Sequence, residues 1–256
     1  MNYKNIKVEK RENYAIIEIA NNKNNSLDQK TLNEIGDATK NLNKSKEIKC
    51  IGLIGGPKFF SPGADIKELE KLDSKKAKKQ KLFSKVDDLQ KIDIPIISFV
   101  EGYALGGGFE LALSSDLIIA SSEAKFGLPE INLGLIPGYG GTQRLTQIIG
   151  KTKALEMMLT ANMISSKDAY DYGLVNYVEK DFESGMKKCI ELILTIKRKA
   201  PIAIKNVIKS VNNFYSNDID GFEQEIKLFS QCTSTKDFKE GIKAFLEKRC
   251  PDFKGD

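Results

Sequence analysis

The chain has 256 residues, 41% of them hydrophobic and 29% charged, with a formal charge of +5. Histidine is absent, which excludes histidine bases, histidine-activated nucleophiles and histidine metal ligands, so acid–base chemistry must rest on carboxylates, Lys, Tyr, Cys or the backbone. This length supports one large core, with room for a smaller appendage. No run approaches the roughly 18 apolar residues of a membrane helix.

The opening, "MNYKNIKVEKRENY", lacks the apolar centre of a signal peptide. Four scattered cysteines, Cys50, Cys189, Cys232 and Cys250, suggest neither a zinc site nor a disulfide framework. They read as reduced thiols in a cytoplasm. No metal site is expected. The small basic excess is spread along the chain, whereas a nucleic-acid binder concentrates its basic residues. The one dense run is "SKKAKKQKLFSK", Ser74 to Lys85.

In chain order, "YAIIEIA" (14–20), "KCIGLIGG" (49–56), "IPIISFVEG" (94–102) and "DLIIASS" (116–122) predict strands, being short and rich in β-branched residues. Between the first two, Leu27, Leu32, Ile35 and Leu42 suit one face of a helix. Helices dominate from about Thr152, with "GLVNYV" (173–178) as a late strand. Ser165 and Ser234, each followed three residues later by Asp, predict helix N-caps. The expectation is a parallel α/β core over residues 1–195 and a helical region over 196–256.

Four glycine-bearing stretches resist a phosphate-loop reading. "GGPKFFSPGAD" lacks the Gly-Lys-Ser/Thr ending, and Leu111 and Gln143 stand where a dinucleotide loop needs its third glycine. The stretch "YALGGGFEL" (103–111) is better explained by the helix it opens. The first amides of a helix have no internal partner and their dipoles point outward. Glycine there lets a ligand atom reach the backbone with no Cβ in the way. The result is either an oxyanion site or the close packing of two backbones.

Glu110 follows Gly107 by three residues, on the same side of the helix. With Phe109, Leu111, Ala112 and Leu113 around it, its carboxyl pKa is expected to rise toward neutrality. Glu130, flanked by Leu128, Ile131 and Leu133, is either a loop glutamate or the second carboxyl of an acid/base pair.

The segments "FFSPGADIKEL" (59–69), "VEGYALGGGFELALSSDLIIASSEAKFGLPEINLGLIPGYGGTQRL" (100–145) and "GIKAFLEKRCPDFKGD" (241–256) resemble the enoyl-CoA hydratase (crotonase) family, bacterial hydratases of the 3-hydroxybutyryl-CoA dehydratase type above all. The likeness runs essentially end to end. It implies an α/β fold of ββα units wound into a spiral, with a helical C-terminal region that forms trimers or a dimer of trimers.

The resemblance also implies a site. The amides of Ala64 and Gly107 would hold the thioester oxygen of an acyl-CoA, Glu110 and Glu130 would grip a water, and Gly138 would help position it. Substrate contacts would come from Asn25, Ser26, Leu27, Ala64, Asp65, Ile66, Lys67 and Gly107. Phe245 and Lys248 would reach the nucleotide bound by a neighbouring subunit. Coenzyme A enters as part of the substrate, and no separate cofactor is implied. The reaction would be reversible addition of water to a trans-2-enoyl-CoA, in β-oxidation or butyrate-type metabolism.

Leu128 and Pro62 depart from the usual "FGQPE" and "FSAGAD", and neither change removes a catalytic group. "NNKNNSLD" is a polar version of the usual loop. The alternatives are an isomerase or another acyl-CoA enzyme of the family, an RNA-binding member using the lysine run 74–85, and a catalytically idle scaffold.

Overall fold

The computed structural model describes residues 2–80, 86, 88–215 and 218–256. Its first two strands, β1 (Ile6–Arg11) and β2 (Tyr14–Ile19), form an antiparallel hairpin whose turn places Asn13 at φ 71°. The strands β3 (Cys50–Ile54), β5 (Ile96–Val100), β7 (Leu117–Ser121) and β10 (Tyr177–Glu179) then add in parallel, in the order β1-β2-β3-β5-β7-β10. Every residue of β3 and β5 is buried, as in strands covered on both faces.

A second sheet of four short strands lies beside the first: β4 (Phe59–Ser61), β6 (Tyr103–Leu105), β8 (Lys125–Gly127) and β9 (Ile164–Ser165). The chain visits the two sheets in turn. β3 leads to β4 and helix α2 (Ile66–Leu69), β5 leads to β6 and helix α4 (Gly107–Leu113), and β7 leads to β8 and a 3-10 turn at Glu130–Leu133. These are the wound ββα units of the expected spiral.

Helix α1 (Gln29–Asn43) is capped by Asp28, whose side chain accepts from the Thr31 amide. Its apolar face, including Leu32, Ile35 and Leu42, closes the main core. Helix α3 (Ser74–Gln80) follows α2, and α5 (Gly141–Ile149), α6 (Lys151–Thr160) and α7 (Ser166–Asp171) follow the 3-10 turn. Helix α8 (Phe182–Ile196) covers the opposite face of the six-stranded sheet, where Cys189 and Ile193 pack with Ile16, Ile97 and Phe99. The chain ends in α9 (Pro201–Asn213), α10 (Gly221–Thr233) and α11 (Lys236–Leu246). Asp237 binds the tail by accepting from the amides of Lys254 and Gly255 at 2.7 and 2.8 Å.

Several sequence expectations change. The sheet is not wholly parallel, because β1 and β9 run antiparallel to their neighbours. The segment after Val100 does not pass straight into a helix. The turn falls at Gly102, with φ 64°, as the sequence suggests, but it leads first into β6. Leu27 is not part of α1 but bridges to Ala64. The late strand begins at Tyr177, while Leu174 and Val175 are core residues ahead of it. Ser165 caps α7 in a capping box with Asp168, as expected. Ser234, however, ends α10, and its neighbour Thr235 caps α11.

Candidate active site

The three ββα turns each contribute from the same place, just past the second strand. After β4 comes Ala64. The Leu27 amide donates to the Gly63 carbonyl at 2.8 Å, and the Asp65 amide donates to the Leu27 carbonyl at 3.1 Å. In such a parallel bridge Leu27 uses both its polar groups, so the Ala64 N–H turns to the other side. Asp65 then caps α2 by accepting from the amides of Lys67 and Glu68.

After β6 comes Gly107. Gly63 has φ 99°, a left-handed value, and a methyl group on it would stand 3.0 Å from the Gly107 nitrogen. That close backbone approach brings the two turns together. A methyl group on Gly107 would in turn lie 3.6 Å from the Ala64 nitrogen. Among the described residues, neither the Ala64 nor the Gly107 amide donates to a protein acceptor. The two N–H groups form a ready site for an oxyanion.

Glu110 lies one turn into α4 and is 1% exposed. Its Oε1 accepts from the amides of Tyr139 and Gly141, both at 2.7 Å. Burial raises the carboxyl pKa, opposed by those two amides and by the nearby positive charge of Arg144. Arg144 is itself buried and donates from Nη1 to the Tyr139 carbonyl at 2.6 Å and from Nη2 to Gln90 Oε1 at 3.1 Å. The guanidinium thereby holds the peptide that lies between the two amides meeting Glu110.

After β8 comes Glu130, the first residue of the 3-10 turn. Its Oε2 is buried and has no hydrogen-bond partner among the described residues. Oε1 faces Gly106, where an added methyl group would meet it at 3.1 Å. Burial pushes the carboxyl pKa up to about 7, and the negative charge of Glu110 pushes the same way. The two glutamates thus differ in support. Glu110 is held by amide donors and a cation, and Glu130 is left with a free oxygen.

Two cavities meet at Ala64 and Asp65. One of about 510 Å³ is lined by Lys23, Ser26, Ile66 and Lys67. The other, of about 270 Å³, is lined by Leu27, Leu69, Leu72, Glu68, Lys76 and Tyr139. Asn25 faces neither. It is buried at φ 59°, and its amide donates to the Phe59 carbonyl at 3.1 Å, so it props the loop. Gly138 is exposed; its amide weakly favours the Glu110 anion, while the bonded donors are Tyr139 and Gly141. Phe245 and Lys248 lie exposed at the end of α11 and line neither cavity.

Sequence reasoning missed Tyr139, Gly141 and Arg144. The signal was present in "GYGGTQRL": two glycines ahead of a helical run offer unpaired amides to a carboxylate. The lysine run 74–85 falls largely outside the described residues. Of its described side chains, Lys76 donates to the Lys71 carbonyl at 2.9 Å. Among the described residues no helix is long and apolar enough to cross a membrane, and no cluster of Cys, Asp and Glu could hold a metal ion.

A family model described as enoyl-CoA hydratase/isomerase matches residues 9–256. A probable enoyl-CoA hydratase of Bacillus subtilis (strain 168) is 37% identical over 94% of this chain and 95% of its own length. A crotonyl-CoA hydratase of Syntrophomonas wolfei is 39% identical over 99% of both chains. The crystal structure of an enoyl-CoA hydratase from Bacillus anthracis superposes with a TM-score of 0.92 at 32% identity, over 99% of this chain and 100% of that one.

Proposed function

Because the chain belongs to the enoyl-CoA hydratase/isomerase family, we propose that it is a hydro-lyase adding water reversibly to trans-2-enoyl-CoA thioesters to give 3-hydroxyacyl-CoA. One observation carries the choice of hydration within the family. Two carboxyls of unequal support, Glu110 and Glu130, flank the Ala64–Gly107 amide pair.

The thioester oxygen accepts from the Ala64 and Gly107 amides, which stabilise the negative charge that develops there on attack at C3. One donor of this kind is worth about 3–4 kcal/mol. A water lies between the glutamates. Glu110 acts as base: its Oε1 is filled by two amide donors, which favour the anion, and its second oxygen accepts the proton of the water. The water oxygen bonds to C3 as the C2=C3 π pair moves toward the carbonyl. Glu130, whose pKa of about 7 leaves it partly protonated near neutrality, supplies the proton at C2. Both acids work from one side, which gives syn addition.

The larger cavity, with Lys23 and Lys67 at its rim, suits the phosphate-bearing coenzyme A end, and Ser26, Asp65 and Ile66 line its path. The protein works as a homo-oligomer. Phe222, Ile226 and Phe229 follow one another along α10 at 85%, 70% and 68% exposure, an apolar stripe of the kind that marks an interface. Phe245 and Lys248 serve a neighbouring subunit's nucleotide from the end of α11.

The test is purified protein with crotonyl-CoA, followed by the conjugated enoyl absorbance. Loss of absorbance with formation of 3-hydroxybutyryl-CoA is expected. Isomerisation of a 3-enoyl-CoA without hydration would overturn the assignment.

A further inference from the structure

Tyr139 has so far entered only through its backbone, yet its side chain occupies a decisive place. The residue is 7% exposed. One edge of its ring lies against Gly107, so that a methyl group there would meet Cε2 and Cδ2 at 2.7 and 2.8 Å. The same hypothetical methyl lies 3.6 Å from the Ala64 nitrogen. The ring edge and the Ala64 nitrogen therefore both border the same side of Gly107, which places the ring next to the amide pair.

The ring also walls the 270 Å³ cavity, together with Leu27, Leu69 and Leu72. Glu68, Lys71 and Lys76 also line this cavity, so its aliphatic part is the patch formed by Leu27, Leu69, Leu72 and the ring, while the neighbouring 510 Å³ cavity carries Lys23 and Lys67. The phenol hydroxyl has no hydrogen-bond partner among the described residues. It stays protonated, because burial and the charges of Glu110 and Glu68 push its pKa up to about 12. Among the described residues no side-chain hydrogen bond holds the ring, which packs against Gly107.

We propose that the Tyr139 ring sets acyl-chain length, by filling the space next to the amide pair into which a longer tail would extend. The inference rests on the hydratase reading and adds to it a selection for short enoyl groups. The ring acts by volume. A pocket discriminates by roughly tenfold or more per methylene that it can or cannot accept, and truncation to alanine removes a whole phenol while leaving the backbone N–H to Glu110 in place.

The test compares kcat/KM for crotonyl-CoA and trans-2-decenoyl-CoA in wild type, Tyr139→Ala, Tyr139→Leu and Tyr139→Phe. The ten-carbon to four-carbon ratio is expected to rise at least about tenfold in Tyr139→Ala, to rise by less in Tyr139→Leu, and to stay within about threefold of wild type in Tyr139→Phe. A purely structural role would lower both substrates together and leave the ratio fixed. An unchanged ratio in folded Tyr139→Ala, or in Tyr139→Leu should the alanine variant not fold, overturns the proposal. So does an equal rise in Tyr139→Phe, which would place selection in the hydroxyl. Crotonyl-CoA hydration by the wild type reads the underlying assignment separately.

Discussion

Gly141 and Glu110 are in contact: a methyl group placed on Gly141 would meet both Cγ and Oε1 of the carboxylate at 2.9 Å, and Leu128 at 3.1 Å. The first residue of α5 is thus shaped around the side chain its amide binds. Gly141→Ala is compatible with a helical backbone, so the fold should survive while Glu110 is displaced. Turnover of crotonyl-CoA should fall by at least about tenfold with an unchanged circular dichroism spectrum. A variant of wild-type rate would show that the contact does not position the acid.

Gly107→Ala tests the amide pair from the other side. The new methyl group would press on the Tyr139 ring and narrow the approach to the Ala64 nitrogen. Loss of one donor's access should slow turnover by about 10² to 10³-fold. The double variant Gly107→Ala with Tyr139→Ala should recover part of that loss, since the ring is the nearest obstacle.

Glu110→Gln and Glu130→Gln should each slow hydration by at least about 10²-fold, as for a lost base or acid. Their pH profiles should differ. The donor form of Glu130 disappears as pH rises through about 7, so the wild-type hydration rate should fall above neutrality. The residual activity of Glu130→Gln should lack that alkaline limb.

The same group makes a prediction for stability. The Glu130 carboxyl is raised in the fold from an ordinary value of 4.5 to about 7, so the folded state binds this proton more tightly than the unfolded state. The stability associated with the protonated group is complete below about pH 4.5 and is lost as pH rises through about 7. Glu130→Gln keeps a neutral side chain throughout. Its Tm advantage over wild type should grow from pH 5 to pH 8 and level off below the ordinary carboxylate range. A pH-independent difference would contradict the buried environment of this acid.

Much of this site could be read in the letters because glycine and glutamate leave local signs. Gly106 precedes, and Gly107 and Gly108 open, an apolar helix that contains a lone carboxylate, and that pattern pointed to Glu110. The small sheet could not be seen. Its strands β4, β6 and β8 have three residues each, too few to show an alternation, so the common origin of Ala64, Gly107 and Glu130 was hidden. Leu27 fits the spacing of an apolar helical face, and only its pairing with Ala64 removes it from the helix. Ser234 and Thr235 are both competent caps, and nothing in side-chain chemistry chooses between neighbours. Tyr139 meets Glu110 through its backbone amide and Arg144 reaches Gln90 through its guanidinium; the glycines of "GYGGTQRL" announce unpaired amides, but no local pattern names the distant groups they meet.

The donors to Glu110 lie about thirty positions downstream of it, and the bridge that orients Ala64 comes from Leu27, far upstream. A nascent polypeptide halted on the ribosome before Tyr139 would already contain the Ala64 and Gly107 amides and both acids. It would still leave a buried carboxylate with no amide to meet it. Catalytic competence should therefore appear late and all at once during synthesis, and half-made chains should be unable to capture cellular thioesters.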